Sequence, residues 1–252
     1  MSEEQLHGWL VWGELASAVF TLGALWVVVA PYGRHGRAGW GPEVSARSGW
    51  ILMEAPAVLS FGAVWAVGSA VGGTVPRLLL GVWMAHYLHR ALVFPFRMRS
   101  QGKRMPLVIA TLGAGFNMLN GYVNARAVSE FGAQPAAWLA SPSLWIGLAI
   151  FGVGLALNLH SDTVLLRLRA PGQTGYRIPF GGGYSWVSCP NYLGEMLEWL
   201  GWALACGTLA GWAFFAYTVA NLFPRALAHH RWYRETFAEY PRERRAVLPY
   251  LW

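Results

Sequence analysis

The sequence predicts an all-α integral membrane bundle of seven transmembrane helices, with the N-terminus outside and the C-terminus cytosolic. Three observations predict it. The 252-residue chain is 55% apolar and only 12% charged, about half the charge of a soluble domain. Several of its apolar runs exceed the roughly 18 residues that mark a spanning helix. Its basic residues also gather in alternate connections, the signature of cytosolic loops.

The apolar stretches, in order, are Trp9–Pro31, Trp50–Gly73, Leu78–Phe96, Pro106–Ala125, Pro142–Leu166 and Asn191–Phe223. The last, as one helix, would be about 50 Å long, against a hydrocarbon core of about 30 Å. It is therefore split near Cys206–Gly207–Thr208, which gives seven helices. The charges agree. Loop one carries Arg34, Arg37 and Arg47; loop three carries Arg97, Arg99, Lys103 and Arg104; loop five carries Arg167, Arg169 and Arg177. The tail adds Arg225, Arg231, Arg234, Arg242, Arg244 and Arg245, bringing the set to sixteen of the nineteen Lys and Arg. An odd helix count keeps all of them on the cytosolic side.

The whole chain, 1–252, reads as one membrane domain. The acidic start, MSEEQ, lacks the basic n-region of a cleavable signal. Two cysteines, Cys189 and Cys206, make neither a disulfide framework nor a metal-type pair. The net charge of +7 fits cytosolic loops rather than a nucleic-acid partner. The loop 170–190, with Gly181–Gly183, is long enough to be a functional lid. The tail from Pro224 is expected to lie on the cytosolic surface as a short amphipathic helix.

A charge at mid-bilayer costs on the order of 3 kcal/mol, so polar residues there usually face a working cavity. Helix two carries Glu54. Helix three carries His86, Tyr87, His89 and Arg90. Helix four carries Asn117 and Asn120; helix five carries Asn158, His160 and Asp162; helix six carries Asn191, Glu195 and Glu198. Most fall in the cytosolic half, so one polar cavity open to the cytosol is expected. Asn158 and Asp162 share a helix face. Asn191, Glu195 and Glu198 form a stripe, and Arg225, His229 and Tyr233 repeat every four residues.

The soluble dinucleotide and nucleoside-triphosphate motifs are absent. HYLH at His86–His89 and HH at His229–His230 are too few for a histidine-box di-iron site, and no resident metal is expected. A transporter would favour repeats and matched broken helices, which the sequence lacks.

Long ordered strings carry a resemblance. They are NLHSD at Asn158–Asp162, YRIPFGGGYSWVSCPNYLGEMLEWLGWAL at Tyr176–Leu204, and FPRALAHHRWYRETFAEYPRERRAVLPYLW at Phe223–Trp252. ILMEAP around Glu54 and HYLHRALVFPF around Tyr87 extend it to roughly residues 50–252. In these strings the chain resembles the steroid 5-alpha-reductases (3-oxo-5-alpha-steroid 4-dehydrogenases). The resemblance implies an NADPH-dependent enzyme that reduces the C4–C5 double bond of a 3-oxo-Δ4-steroid. It implies that Glu54 and Tyr87 hold the 3-ketone. It also implies that Asn158, Asp162, Arg169, Tyr176, Arg177, Asn191, Glu195, Arg225, His229 and Tyr233 bind NADPH. Two departures are Met53, where the animal enzymes usually have Gln, and Pro190, where Ala is usual. Related reductases act on enoyl-CoA, polyprenols or other sterols, and distant relatives are lipid methyltransferases.

Conjugate hydride transfer builds negative charge on the ketone oxygen, and placed donors there lower the barrier. Tyr87 can supply one donor and a protonated Glu54 a second. Which of His86, His89 and Arg90 assists Tyr87 is open. Arg169, Arg177 and Arg225 suit phosphates, whereas Glu195 and Asp162 suit ribose hydroxyls or the nicotinamide amide. Residues 1–128 are expected mainly to form the pocket for a lipophilic, steroid-like substrate drawn from membrane lipid. Residues 141–252 are expected mainly to bind NADPH. A monomer is expected. Arg outnumbers Lys 18 to 1, which points to a bacterial inner membrane; a eukaryotic relative would use the endoplasmic reticulum.

Overall fold

Helix boundaries follow local chemistry. A computed structural model describes residues 1–98, 102–168 and 175–251. α1, Glu3–Val27, starts at Ser2, whose hydroxyl accepts from the Gln5 amide while the Gln5 side chain accepts from the Ser2 amide. This reciprocal cap satisfies donors that a helix start leaves orphaned. α1 thus begins six residues before the apolar run does. β1, Glu43–Ser45, pairs antiparallel with β2, Arg104–Pro106, tying loop one to loop three. α2 spans Ala46–Ala66, with Pro56 inside it.

α3, Thr74–Leu88, runs through a wide π-turn at His89–Val93 into α4, Phe94–Arg97. α5 spans Leu107–Arg126 and ends in a second π-turn, Ala127–Phe131. α6 spans Pro142–Arg167. α7, Pro190–Cys206, stops at Gly207, whose φ of +64° is a left-handed cap that glycine adopts without penalty. Thr208 then caps the start of α8, Leu209–Thr236, by accepting from the Gly211 amide. The break falls where the sequence splits its longest run.

The tail differs from expectation. Pro224 sits inside α8, which continues unbroken to Thr236. No separate surface helix forms there among the described residues. Instead residues 237–251 fold back on the segment before α7. Ser188 N–H donates to the Arg245 carbonyl at 2.8 Å, Cys189 N–H to Ala246 at 3.1 Å, and Arg244 to the Pro179 carbonyl at 2.8 Å. The tail clamps the described part of the predicted lid.

By length and composition, α1, α2 and α6 are each able to cross a membrane. α7 is shorter and interrupted by acids and amides. Large apolar side chains such as Trp9, Phe20, Leu59 and Leu112 point outward, as a lipid-facing surface requires.

Packing pairs α1 with α8, α2 with α5, and α6 with α7. The third pair is the closest. A Cβ on Gly154 would sit 2.6 Å from both the Glu198 nitrogen and the Gly194 oxygen; one on Gly194 would sit 2.6 Å from the Asn158 nitrogen. Gly147 and Gly201 continue this seam, in which small residues let backbones touch. It lays Asn158 and Asp162 directly beside Asn191 and Glu195. Phe61, Trp83, Tyr87, Trp199, Trp202 and Phe214 form the aromatic core below the polar cluster.

Candidate active site

Two chambers meet in the half of the bundle where α8 ends. The first, of about 330 Å³, is lined by Met53, Glu54, His86, Tyr87, Phe116 and Asn117 on one wall. α1 and α8 complete the lining with Phe20, Thr21, Phe214, Tyr217, Thr218 and Asn221, and Tyr217 stacks on Phe116 at 3.6 Å. The second, of about 280 Å³, is lined by Arg34, Asp162, Tyr176, Asn191 and His229 among others. Tyr32, Trp50, Arg90, Tyr192, Glu195 and Arg225 line both, forming the partition between them. The first chamber is walled mostly by residues before 128, the second by both halves of the chain.

Tyr87 and Glu54 come together through Asn117. The Tyr87 hydroxyl donates to Asn117 Oδ1 at 3.3 Å, and Asn117 Nδ2 donates to Glu54 Oε2 at 3.4 Å. Both are long for hydrogen bonds. The 2.7 Å bond from Asn117 Nδ2 to the Met53 carbonyl fixes the amide. Tyr87 and Glu54 are thus aimed into the chamber while only loosely engaged.

Arg90 is the hub beside them. Its guanidinium lies 3.2 Å from Asp162 and 3.9 Å from both Glu54 and Glu195. Its faces stack on Trp50 and Phe94, with ring centroids at 4.7 and 4.8 Å. The π-turn that begins at His89 sets Arg90 at this point. His86 is engaged elsewhere: its Nδ1 lies 2.6 Å from Glu198, and its ring meets Tyr87 edge-on at 4.9 Å. Asn191 donates to Asp162 at 3.2 Å, and Asn158 donates to the Asn191 carbonyl at 3.0 Å.

The far end of the second chamber is cationic. Arg225 donates to the Tyr192 hydroxyl at 3.3 Å and lies 4.1 Å over the Tyr32 ring. Arg34 donates to the Tyr233 hydroxyl at 3.1 Å and stacks on Tyr176, Trp232 and Tyr233. Among the described residues neither arginine has a carboxylate partner. Burial pulls Arg225 down to about 10, so it stays charged at neutral pH. His35 and His229 stack and share a hydrogen bond of 2.9 Å. Burial first, then Arg34 and Arg37, holds His35 below the ordinary histidine value. Burial, with Arg34, Arg225 and His35, holds His229 well below it.

Of the residues singled out in the sequence, Glu54 and Tyr87 line the first chamber. Asp162, Tyr176, Asn191 and His229 line the second, and Glu195 and Arg225 line both. Asn158 and Tyr233 are buried behind these walls as supports. Arg177 is exposed and lines neither chamber. Arg169 lies outside the described residues. Sequence reasoning missed Arg34, His35, Tyr32 and Tyr192. Arg34 had been counted only as a loop charge; its neighbours Tyr32 and His35 were the available signal. It also missed Glu14, a fully buried carboxylate on α1, detectable as a member of the stripe His7, Val11, Glu14, Ala18.

A largely apolar chamber thus carries the Tyr87 and Glu54 oxygens and adjoins a chamber with acids at one end and, among the described residues, arginines without carboxylate partners at the other. The family model described as 3-oxo-5-alpha-steroid 4-dehydrogenase matches residues 103–252. The chain is 42% identical over 234 residues to a steroid 5-alpha-reductase of Arabidopsis thaliana, covering 88% of each chain. It is 38% identical over 255 residues to 3-oxo-5-alpha-steroid 4-dehydrogenase 1 of Bos taurus, covering 100% of this chain and 99% of the relative. The Homo sapiens protein of that name is 39% identical over 227 residues, covering 87% and 85%. This chain belongs to the 3-oxo-5-alpha-steroid 4-dehydrogenase family, a family of oxidoreductases.

Proposed function

We propose that the protein reduces the C4–C5 double bond of 3-oxo-Δ4-steroids to 5-alpha products, using NADPH. The observation that carries this reading is the Tyr87–Asn117–Glu54 set in an apolar wall, one partition away from the cationic chamber. The second chamber fits the cofactor's chemistry. Arg225 and Arg34 are half-buried cations without acid partners among the described residues, and they suit phosphates. Asp162, Asn191 and Glu195 sit nearer the partition, suited to ribose hydroxyls and a carboxamide. Tyr176, His229, Tyr233, Asn158, Arg177 and Arg169 complete the proposed binding set. When bound, the nicotinamide supplies a hydride to the carbon β to the ketone.

The chain's own residues do the rest. Negative charge grows on the ketone oxygen as the hydride arrives, and donors aimed there stabilise it. Tyr87 and a protonated Glu54 can each turn from Asn117 to that oxygen, because the bonds they leave are long and weak. Asn117 keeps both aligned through its short bond to Met53. Arg90 keeps Glu195 and Asp162 in the partition. Residues 175–189 and the tail cover the cofactor side and exclude water.

The acceptor enters from membrane lipid. Phe20 and Leu112 line the first chamber, yet are 77% and 66% exposed on the bundle's outer face, so the chamber opens sideways. The accompanying topology is seven transmembrane helices, N-terminus outside and C-terminus cytosolic, in a bacterial inner membrane, as a monomer. Residues 1–128 chiefly shape the acceptor pocket and 141–252 the cofactor site.

The test is NADPH consumption by detergent-purified protein with testosterone or progesterone, with products identified by mass spectrometry. A product two mass units heavier with 5-alpha stereochemistry supports the reading. Tight NADPH binding without steroid turnover would move it to enoyl-CoA, polyprenol or other sterol acceptors.

A further inference from the structure

The first chamber has polar groups on both walls, and the proposed chemistry uses only one set. On the α1–α8 wall, Thr218 and Asn221 lie three residues apart on α8, so they share a face. Tyr217 next to them stacks on Phe116, with ring centroids 3.6 Å apart. Neither the Thr218 nor the Asn221 side chain makes a hydrogen bond to another described residue. The surrounding lining is apolar: Phe20, Ala24, Leu25, Ile109, Leu112 and Leu222.

The half-buried Asn221 amide is therefore available to a ligand in the chamber. Asn offers two N–H donors and a carbonyl acceptor, and Thr a hydroxyl that can do either. In ligand pockets the few polar groups on apolar walls fix orientation. Glu54, Tyr87 and Asn117 come from α2, α3 and α5, whereas Thr218 and Asn221 come from α8, the partner of α1 across the cavity. A rigid acceptor held by its ketone at one wall presents its other end to the second.

We infer that Asn221, with Thr218, is a specificity anchor for a hydroxyl or carbonyl oxygen at the end of the acceptor remote from the enone. The inference rests on the reductase reading above and sharpens it. For a steroid, the oxygen is on ring D or its side chain. The amide can donate to a carbonyl or accept from a hydroxyl, so both oxygen types fit.

The experiment measures kcat/KM for two steroids that share the 3-oxo-Δ4 system. One carries a 17β-hydroxyl; the other has no oxygen on ring D. Wild type, Asn221→Leu and Thr218→Val are compared, with NADPH affinity measured alongside. Asn221→Leu is expected to lower kcat/KM for the hydroxysteroid about tenfold, mainly through KM, the size of one hydrogen bond. The deoxysteroid should change less than about twofold. Thr218→Val, which keeps side-chain volume, should give the same selective loss at about threefold, and stands in should the Leu variant not fold. Equal losses on both steroids overturn the inference. So does weakened NADPH binding in Asn221→Leu, which would assign the amide to the cofactor. A wild type that binds NADPH but reduces neither steroid overturns the steroid reading first, and the anchor with it.

Discussion

Replacing Arg90 with Leu removes the cation that faces the carboxylates of Asp162 at 3.2 Å and Glu195 at 3.9 Å, beside the proposed protonated Glu54, also at 3.9 Å. At an effective dielectric of about 20, each pair near 4 Å is worth about 4 kcal/mol of attraction. Mutual repulsion of the two carboxylates and the desolvation of all three charged groups offset much of that sum. Removing one partner from a buried ion cluster costs about 3–5 kcal/mol, because the remaining charges are left uncompensated. Against a total stability of about 5–15 kcal/mol, Arg90→Leu should lower the denaturation midpoint in detergent steeply. Arg90 also stacks on Trp50 and Phe94, and Leu recovers part of that packing alone. The decisive measurement is the double-mutant cycle with Asp162→Asn. Asp162→Asn removes the nearest negative charge and keeps an acceptor for Asn191. The pair should therefore lose at least about 1 kcal/mol less than the sum of the single losses. Strict additivity would refute the hub and leave Arg90 a packing residue only.

Three further outcomes follow from the same geometry. Tyr87→Phe should abolish turnover with NADPH affinity unchanged, and should cost little stability, since it deletes only a 3.3 Å bond to Asn117; full activity would remove Tyr87 from the mechanism. Arg225→Ala should weaken NADPH binding more than Arg177→Ala, because Arg225 is half-buried in the lining of both chambers and Arg177 is exposed and lines neither; an unchanged dissociation constant for both would refute the phosphate assignment. His35 and His229 are held below the ordinary histidine value, so the unfolded chain takes up protons first as pH falls. Their stabilising contribution is complete above about pH 6.5 and is lost as pH falls toward the folded values. Melting temperature in detergent should drop between pH 7 and 5, and His229→Gln should flatten that drop; the same slope in both proteins would sink this account.

Helix placement was legible because it is a one-dimensional property. Apolar length and the Gly207 break mark the helices, and α7 and α8 part where Cys206–Gly207–Thr208 mark the turn. Convergence of Glu54, Tyr87, Asp162, Asn191 and Glu195 was legible too, since each is costly in an apolar stretch. What escaped was set by packing. Arg34 looks like any cytosolic arginine until Tyr176, Trp232 and Tyr233 close around it. The role of Arg90 depends on a π-turn, which local sequence does not announce. The tail's clamp on residues 175–189 depends on backbone pairing between segments far apart in the chain. Arg177 lies within the motif run but outside both chambers, because the motif records order along the chain and not which side chains turn inward.

The glycine seam between α6 and α7 also limits how this enzyme can change. Along it the two helices meet backbone to backbone, so Gly147, Gly154, Gly194 and Gly201 have no neighbouring side chain that could yield to an added methyl group. The two helices behave as a single rigid plate, and Asn158, Asp162, Asn191 and Glu195 ride on it at fixed spacing. On the proposed assignment, cofactor preference is open to redesign through the polar side chains the plate carries, while the plate's glycines have no room for added side chains. Any opening that admits the cofactor must be made by the segments that cover the plate, not by the plate parting.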